Sequence, residues 1–121
     1  MRILTNICSD NLSQSKQFYI DLLGLEVKYD SDWYVQLCVP DNPQIEYGLI
    51  QRQHELVPKE YQHPPQGMYV TFVVSDVDSV FHKAVELGLP IIQAPKNEFY
   101  GQRRFLIKDP DGCLIDICSP Y

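Results

Sequence analysis

Apolar and polar positions follow two periods along this chain, and the period changes at corresponding points in each half. Over residues 12–23, apolar side chains recur at helical spacing, which predicts a helix capped by Asp10 or Asn11 and ended by Gly24. A second helix is predicted to begin after Asp76 and to end at Gly88. The rest of the pattern is mostly strand-like.

Runs with period two lie before and after each helix. The predicted strands cover residues 3–8, 26–29, 33–39 and 45–50 in the first half, and 69–74, 90–93, 102–108 and 113–118 in the second. Turn-forming residues join the last two strands of each half, at 41–44 and 109–112. Because Trp33 alternates with Tyr34, we expect Trp33 to pack under the first helix with Val35 and Leu37.

Both helices end in the tripeptide Leu-Gly-Leu, at residues 23–25 and 87–89, an offset of 64 residues in a chain of 121. Such a period indicates an internal duplication. We therefore predict a single α+β domain of two βαβββ repeats, the first at about residues 1–53 and the second at about 68–121. Residues 54–67 fit neither period and are predicted to be a linker, with a lid over a pocket as the alternative.

Composition and charge narrow the function classes. The formal charge of −6 at pH 7 argues against nucleic acid as a partner, because such binding relies on neutralising phosphates with Lys and Arg. No stretch approaches the ~20 apolar residues of a membrane span, and the N-terminus has no signal-peptide pattern, so we expect a cytoplasmic protein. The four cysteines lack C-x-x-C spacing and are predicted to be reduced and mostly buried.

The duplicated unit resembles the vicinal oxygen chelate superfamily, which includes glyoxalase I, extradiol dioxygenases, fosfomycin resistance proteins and bleomycin-binding proteins. The resemblance rests on Phe-Tyr at 18–19, Leu-Leu-Gly-Leu at 22–25 and Asp-Pro-Asp-Gly at 109–112. Gly-Gln-Arg-Arg-Phe at 101–105 looks especially like small glyoxalase-like bacterial members. The resemblance implies a rolled, mixed eight-stranded sheet with the helices on its convex side, a ligand pocket on its concave side, and a homodimer.

In metal-using members of that superfamily, four inward side chains hold a divalent ion, one each from the first and last strands of each unit. Carrying this rule over by the repeat offsets gives Thr5, Gly48, Tyr69 and Asp116. Only Asp116 is a carboxylate, whereas a catalytic ion normally needs about three protein ligands. We therefore expect no metal. Glu46, on the same strand face as Gly48, is the alternative ligand if the register slips by one pair.

Polar and aromatic side chains are predicted to line the pocket instead. Those expected to bind a ligand are Thr5, Tyr34, Gln36 and Tyr69, with Phe99 and Tyr100 in a loop at the pocket mouth. Of the adjacent Arg103 and Arg104, alternation sends only one inward. An offset of 68 matches Arg104 to Gln36 and places Arg104 across from Asp116, while Arg103 stays the alternative.

Two functions follow as hypotheses. The first is a glyoxalase/bleomycin resistance type protein that binds a small molecule without a metal, as a resistance or sequestration protein. The second is a lyase or isomerase of the glyoxalase I type acting on a small oxygenated substrate. In that case Asp116 or Glu46 serves as general base and Arg104 holds an oxyanion, with a divalent metal polarising the substrate if one binds.

Overall fold

The computed structural model describes residues 1–121, which divide into two compact units at residues 1–66 and 67–121. Each unit contains one α-helix and four strands in the order βαβββ. Hydrogen bonds join the strands into two four-stranded mixed sheets, one in each unit. The predicted α+β class with a duplicated βαβββ unit is confirmed.

The elements of the first unit, in chain order, are β1 (Leu4–Ser9), α1 (Leu12–Leu23), β2 (Glu26–Asp30), β3 (Tyr34–Val39) and β4 (Asn42–Gln51). A short 3₁₀ turn, Lys59–Tyr61, follows them. The sheet order is β1-β4-β3-β2, in which only β1 and β4 are parallel. Because Val39 pairs with Asn42, β4 begins earlier than predicted, within the expected turn.

The second unit repeats this arrangement. Its elements are β5 (Tyr69–Val73), α2 (Val77–Glu86), β6 (Ile91–Asn97), β7 (Gln102–Lys108) and β8 (Leu114–Pro120). The sheet order is β5-β8-β7-β6, and only β5 and β8 are parallel. Every predicted helix and strand is therefore present in the predicted order, although the bounds differ from the predicted ones by a few residues.

Side-chain caps and a left-handed glycine explain where α1 begins and ends. The Asn11 side chain accepts a hydrogen bond from the Gln14 amide at 3.0 Å, so Asn11 rather than Asp10 is the cap. The helix ends at Gly24, whose φ of 69° suits a residue without a Cβ. In α2 the Asp76 side chain accepts from the Ser79 amide at 3.2 Å.

Each helix packs on one face of its own sheet, which we call the helix face; the opposite face is the far face. The helix face of the first sheet carries the buried residues Ile7, Val35, Leu37, Tyr47 and Leu49. That of the second sheet carries Phe105, Ile107, Ile115 and Ile117. Because burial on one face fixes the alternation, the side chains of the far face can be read directly from the register.

The segment after β4 belongs to the first unit. Its His54 ring stacks on Trp33, with ring centroids 4.4 Å apart and planes 20° from parallel. Trp33 is half-buried there and is absent from the core under α1, so its predicted position is wrong. A contact between residues this far apart in sequence leaves no trace in the strand period.

Neither helix has the length and apolar composition that a membrane-spanning helix requires. The cysteines form no disulfide, and Cys38, Cys113 and Cys118 are buried. Burial, aided by the charges of Asp109 and Asp111, raises the pKa of the Cys113 thiol to about 12. That thiol is therefore protonated at neutral pH and acts as a small apolar side chain.

Candidate functional site

Asp116 lies at the centre of the far face of the second sheet. Ile115 and Ile117 face α2, so alternation turns Asp116 to the opposite side, as predicted. Its Oδ2 accepts a hydrogen bond from Thr71 Oγ1 at 2.9 Å and lies 3.7 Å from Arg104 Nη1. Asp116 is 4% exposed, so this carboxylate is a buried charge held by one hydroxyl and one guanidinium.

Buried polar atoms without a hydrogen-bond partner surround this pair. The side chains that carry them are Gln93, Glu98, Gln102, Arg104 and Asp116. The strand register explains why several of these side chains share one face. Leu106 pairs with both Gln93 and Asp116, so these two lie in one row across the sheet. Gln102 and Arg104 alternate with Phe105, which is buried on the helix face, so they point to the far face as well. Buried polar groups normally have partners, so this face has unused hydrogen-bonding capacity of both donor and acceptor type.

Two aromatic side chains occupy the loop between β6 and β7. Phe99 is 97% exposed, and its ring meets that of Tyr100 edge to face at 5.4 Å. Burial lowers the pKa of Arg104, but Asp116, Tyr100 and Glu98 raise it, and it ends above its ordinary value. Tyr100 therefore reaches the Arg104 guanidinium. Phe99 adjoins this cluster through its contact with Tyr100.

The two adjacent arginines lie on opposite faces. Arg103 donates to Asp78, in the first turn of α2, with Nε 3.1 Å from Oδ2. This hydrogen bond lowers the pKa of the Asp78 carboxyl. The structure thus places Arg104 with Asp116 and gives Arg103 to the helix face, which decides between the two predicted alternatives. Tyr69 is half-exposed on the far face, opposite Leu114.

The far face of the first sheet carries a second polar group. Asn6, Gly48 and Gln36 pair in one row, and Tyr34 lies in the next. The Tyr34 hydroxyl donates to Asn6 Oδ1 at 2.8 Å. Burial raises the pKa of Tyr34; Arg2 opposes this shift and Glu46 adds to it. The tyrosine is therefore a neutral hydrogen-bonding group at physiological pH.

Thr5 does not belong to this row. It pairs with Tyr47, whose ring packs on Tyr19 of α1 at 4.7 Å, so Thr5 is on the helix face. The predicted inward orientation of Thr5 is wrong, and Asn6 occupies the corresponding position on the far face. The predicted offset of 64 residues between the repeats came from the ends of the helices, but the helix caps Asn11 and Asp76 are 65 residues apart. Because side chains alternate along a strand, an alignment error of one residue moves a side chain to the opposite face of the sheet.

The counterpart of Arg104 also differs from the prediction. In the first sheet Cys38 pairs with Glu46, and in the second Lys108 pairs with Leu114. Seven residues, 39–45, connect the first pair, whereas five, 109–113, connect the second. Because the first connection is two residues longer, Arg104 corresponds to Tyr34 and not to Gln36.

Glu46 is held by two cations. Arg2 donates to it through Nε at 2.6 Å and Nη2 at 2.9 Å, and Lys28 Nζ donates at 2.7 Å. Hydrogen bonds from Arg2 and Lys28 lower the pKa of Glu46 from 4.5 to about 2. A carboxylate this acidic is a poor proton acceptor at neutral pH, so the geometry does not favour Glu46 as a general base.

This shift has a testable consequence for stability. Since the pKa of Glu46 is lower in the folded chain, its contribution is present above pH 4.5 and is lost as the pH falls toward 2. Glu46→Gln is expected to be less stable than the parent at pH 7, and the gap should be clearly smaller at pH 3, because part of the contribution is already lost there. Urea unfolding followed by circular dichroism measures both. Exposed Glu55→Gln is the control, and an equal gap for Glu46→Gln at both pH values would contradict the assignment.

The comparisons with known proteins agree with this architecture. The family model of the Glyoxalase/Bleomycin resistance protein/Dioxygenase superfamily matches residues 3–117, nearly the whole chain. The chain belongs to this superfamily. No curated protein matches the sequence.

Solved structures of superfamily proteins share the fold at low sequence identity. A superfamily member from Sphaerobacter thermophilus is 22% identical with a TM-score of 0.79, over 98% of this chain and 96% of that one. A lactoylglutathione lyase from Agrobacterium tumefaciens is 20% identical with a TM-score of 0.75, over 98% and 92%. At these identities the likeness shows the fold alone.

The superfamily includes proteins that use a divalent metal, and the residues here fit one poorly. The side chains include no group of three or more His, Cys, Asp or Glu that could hold an ion. Gly48 supplies no ligand, and the space beside it holds the Tyr34 hydroxyl and Asn6. Asp116 and Glu46 are each already paired with cations. The absence of a metal nevertheless stays a prediction.

Proposed function

We propose that this superfamily member binds a polar small molecule, without a metal, on the far face of its second sheet. Asp116 carries the proposal, because one of its oxygens is engaged by Thr71 while Oδ1 is buried without a hydrogen-bond partner. A buried acceptor of this kind costs about 1–3 kcal/mol when unsatisfied, and a ligand donor would recover that energy.

The surrounding groups suggest the chemistry of the ligand. Arg104 Nε and Gln93 Nε2 can donate, whereas Asp116 Oδ1, Glu98 Oε1 and Gln102 Oε1 can accept. A ligand with neighbouring donor and acceptor groups, such as an amide, a hydroxy acid or an amino acid, would complement this set. The exposed Phe99 ring could cover an apolar part of the same molecule.

A ligand screen by thermal shift tests the proposal, since any ligand that prefers the folded chain raises its melting temperature. For each hit, we expect Asp116→Asn to weaken binding at least tenfold, about 1.4 kcal/mol, in isothermal titration calorimetry. The matched control is Asp78→Asn, which changes a carboxylate on the helix face and should keep the affinity within twofold.

Three results would contradict this proposal. Equal affinities in the Asp116 and Asp78 variants would move the site elsewhere. A near-stoichiometric metal in the purified protein would show that the prediction of no metal is wrong. Catalytic consumption of the bound compound would replace binding with enzymatic activity. The homodimer and the cytoplasmic location stay predictions.

A second function is favoured by the nearness of Arg104 to Asp116. In a lyase or isomerase, Asp116 Oδ1 would remove a proton from carbon beside a carbonyl, and Arg104 would donate to the resulting enolate oxygen. Methylglyoxal hemithioacetal is a suitable probe substrate, assayed with and without added divalent ions. Turnover that Asp116→Asn abolishes would favour this function. If the protein shows no turnover with or without added divalent ions, the binding function is favoured.

A further inference from the structure

A cleft of about 720 Å³ opens at the end of the first sheet where β1 begins, and it is unrelated to Asp116. Its lining residues are Met1, Arg2, Ile3, Lys28, Gln44 and Glu46. Three of these are charged, and they form one hydrogen-bonded group. The cleft is therefore a charged feature that the proposed function leaves unexplained.

The carboxylate of this group has little capacity left for a ligand. Its Oε2 accepts from Arg2 Nε, and its Oε1 accepts from both Arg2 Nη2 and Lys28 Nζ. The Glu46 side chain lines the cleft but is only 3% exposed, because the two cations cover most of it. Glu46 thus fixes the positions of Arg2 and Lys28.

The capacity that remains consists of donors. Arg2 has five N–H groups and gives two to Glu46, which leaves three. Lys28 gives two of its three protons, to Glu46 and to the Pro43 carbonyl, which leaves one. Two cations and one carboxylate leave a net local charge of +1, although the chain carries −6.

Unused hydrogen-bond donors and a net positive charge together favour a ligand that is negatively charged and accepts hydrogen bonds. We propose that this cleft binds a small oxyanion, a carboxylate or phosphate group, between Arg2 and Lys28. The guanidinium suits planar or tetrahedral oxyanions, and the ammonium adds a second charged donor. Both side chains are more than 40% exposed, so an anion can reach them from solvent.

Titration of the whole protein with inorganic phosphate and with acetate, at constant ionic strength, tests the site by NMR shifts of backbone amides near Lys28. We expect saturable binding of at least one anion, in the millimolar range. Arg2→Gln and Lys28→Gln should each weaken it about tenfold, whereas Arg2→Lys keeps the charge and should stay within threefold. Lys16→Gln, which removes a lysine paired with Asp30 in the same unit, should leave the affinity unchanged.

The relative affinities for phosphate and acetate then name the class of oxyanion. Methylammonium is the opposing probe, and saturable binding of this cation in place of the anions would overturn the proposal. So would an affinity that Lys28→Gln does not change in a variant that still melts cooperatively. Asp116→Asn should not affect this site, so failure here is separate from failure of the proposed function.

Discussion

Replacing Arg104 with methionine (Arg104→Met) is expected to lower the free energy of unfolding by about 3 kcal/mol. The change removes the guanidinium from Asp116, which is 4% exposed, and leaves its carboxylate with the Thr71 hydroxyl. Breaking a buried pair is costly because the remaining charge has lost its counter-charge inside the protein. Urea denaturation followed by far-ultraviolet circular dichroism gives the free energy.

Neighbouring substitutions make this test specific. Arg103→Met removes an equally long side chain from a more exposed pair with Asp78, and should cost clearly less than Arg104→Met. Arg104→Met with Asp116→Asn removes both charges and should be more stable than Arg104→Met alone. Equal losses in Arg103→Met and Arg104→Met, or a double variant no better than the single one, would show that the 3.7 Å pair is not energetically coupled.

The faces of β5 and β8 in the second unit were predictable from the sequence. Val70, Phe72, Ile115 and Ile117 are apolar at alternate positions, and this alone assigns Asp116 to the opposite face. The inference succeeds because a helix buries one side of the sheet, so a strand turned the wrong way would expose its apolar residues. Tyr69 was placed on the far face for the same reason, whereas Arg104 was placed there by the offset of 68, with Arg103 as the alternative.

The alignment of the two repeats was less predictable. An alignment error of one residue and an error of two residues had different effects on where a side chain was expected. From helix cap to closing glycine, α1 spans thirteen positions and α2 spans twelve, so Thr5 was misassigned by one residue to the wrong face. The β3–β4 connection is longer by two residues. An even shift exchanges counterparts and keeps faces, so Arg104 was correctly oriented but wrongly matched to Gln36.

Contacts between distant residues had no signal in the sequence. Glu46 meets Arg2, which precedes β1, and Lys28, which lies at an irregularity in β2 where the register shifts between Val27 and Tyr29. Neither partner follows a strand period that points to Glu46. The sequence predicted Glu46 as a general base or metal ligand, and only the three-dimensional structure shows that its carboxylate is paired with two cations.

Replacing Gly48 with alanine is expected to destabilise the protein by about 2 kcal/mol, because overpacking typically costs 1–3 kcal/mol. An alanine Cβ would lie 2.5 Å from the Tyr34 hydroxyl oxygen and would also collide with Asn6 Oδ1. One side chain must move, which breaks the 2.8 Å Tyr34–Asn6 hydrogen bond. Alanine in a strand normally gains roughly 0.5–1 kcal/mol over glycine, which offsets part of this cost.

A variant that lacks both colliding oxygens isolates the cause. In an Asn6→Ala/Tyr34→Phe background, Gly48→Ala should cost less than about 1 kcal/mol, since clashes between neighbours make substitutions non-additive. Trp33, the single tryptophan, has its ring 5.5 Å from that of Tyr34, so its fluorescence should change with Gly48→Ala in the parent but little in this background. Equal costs in both backgrounds would mean that Tyr34 does not lie over Gly48, and the steric argument against a metal ligand there would lose its basis.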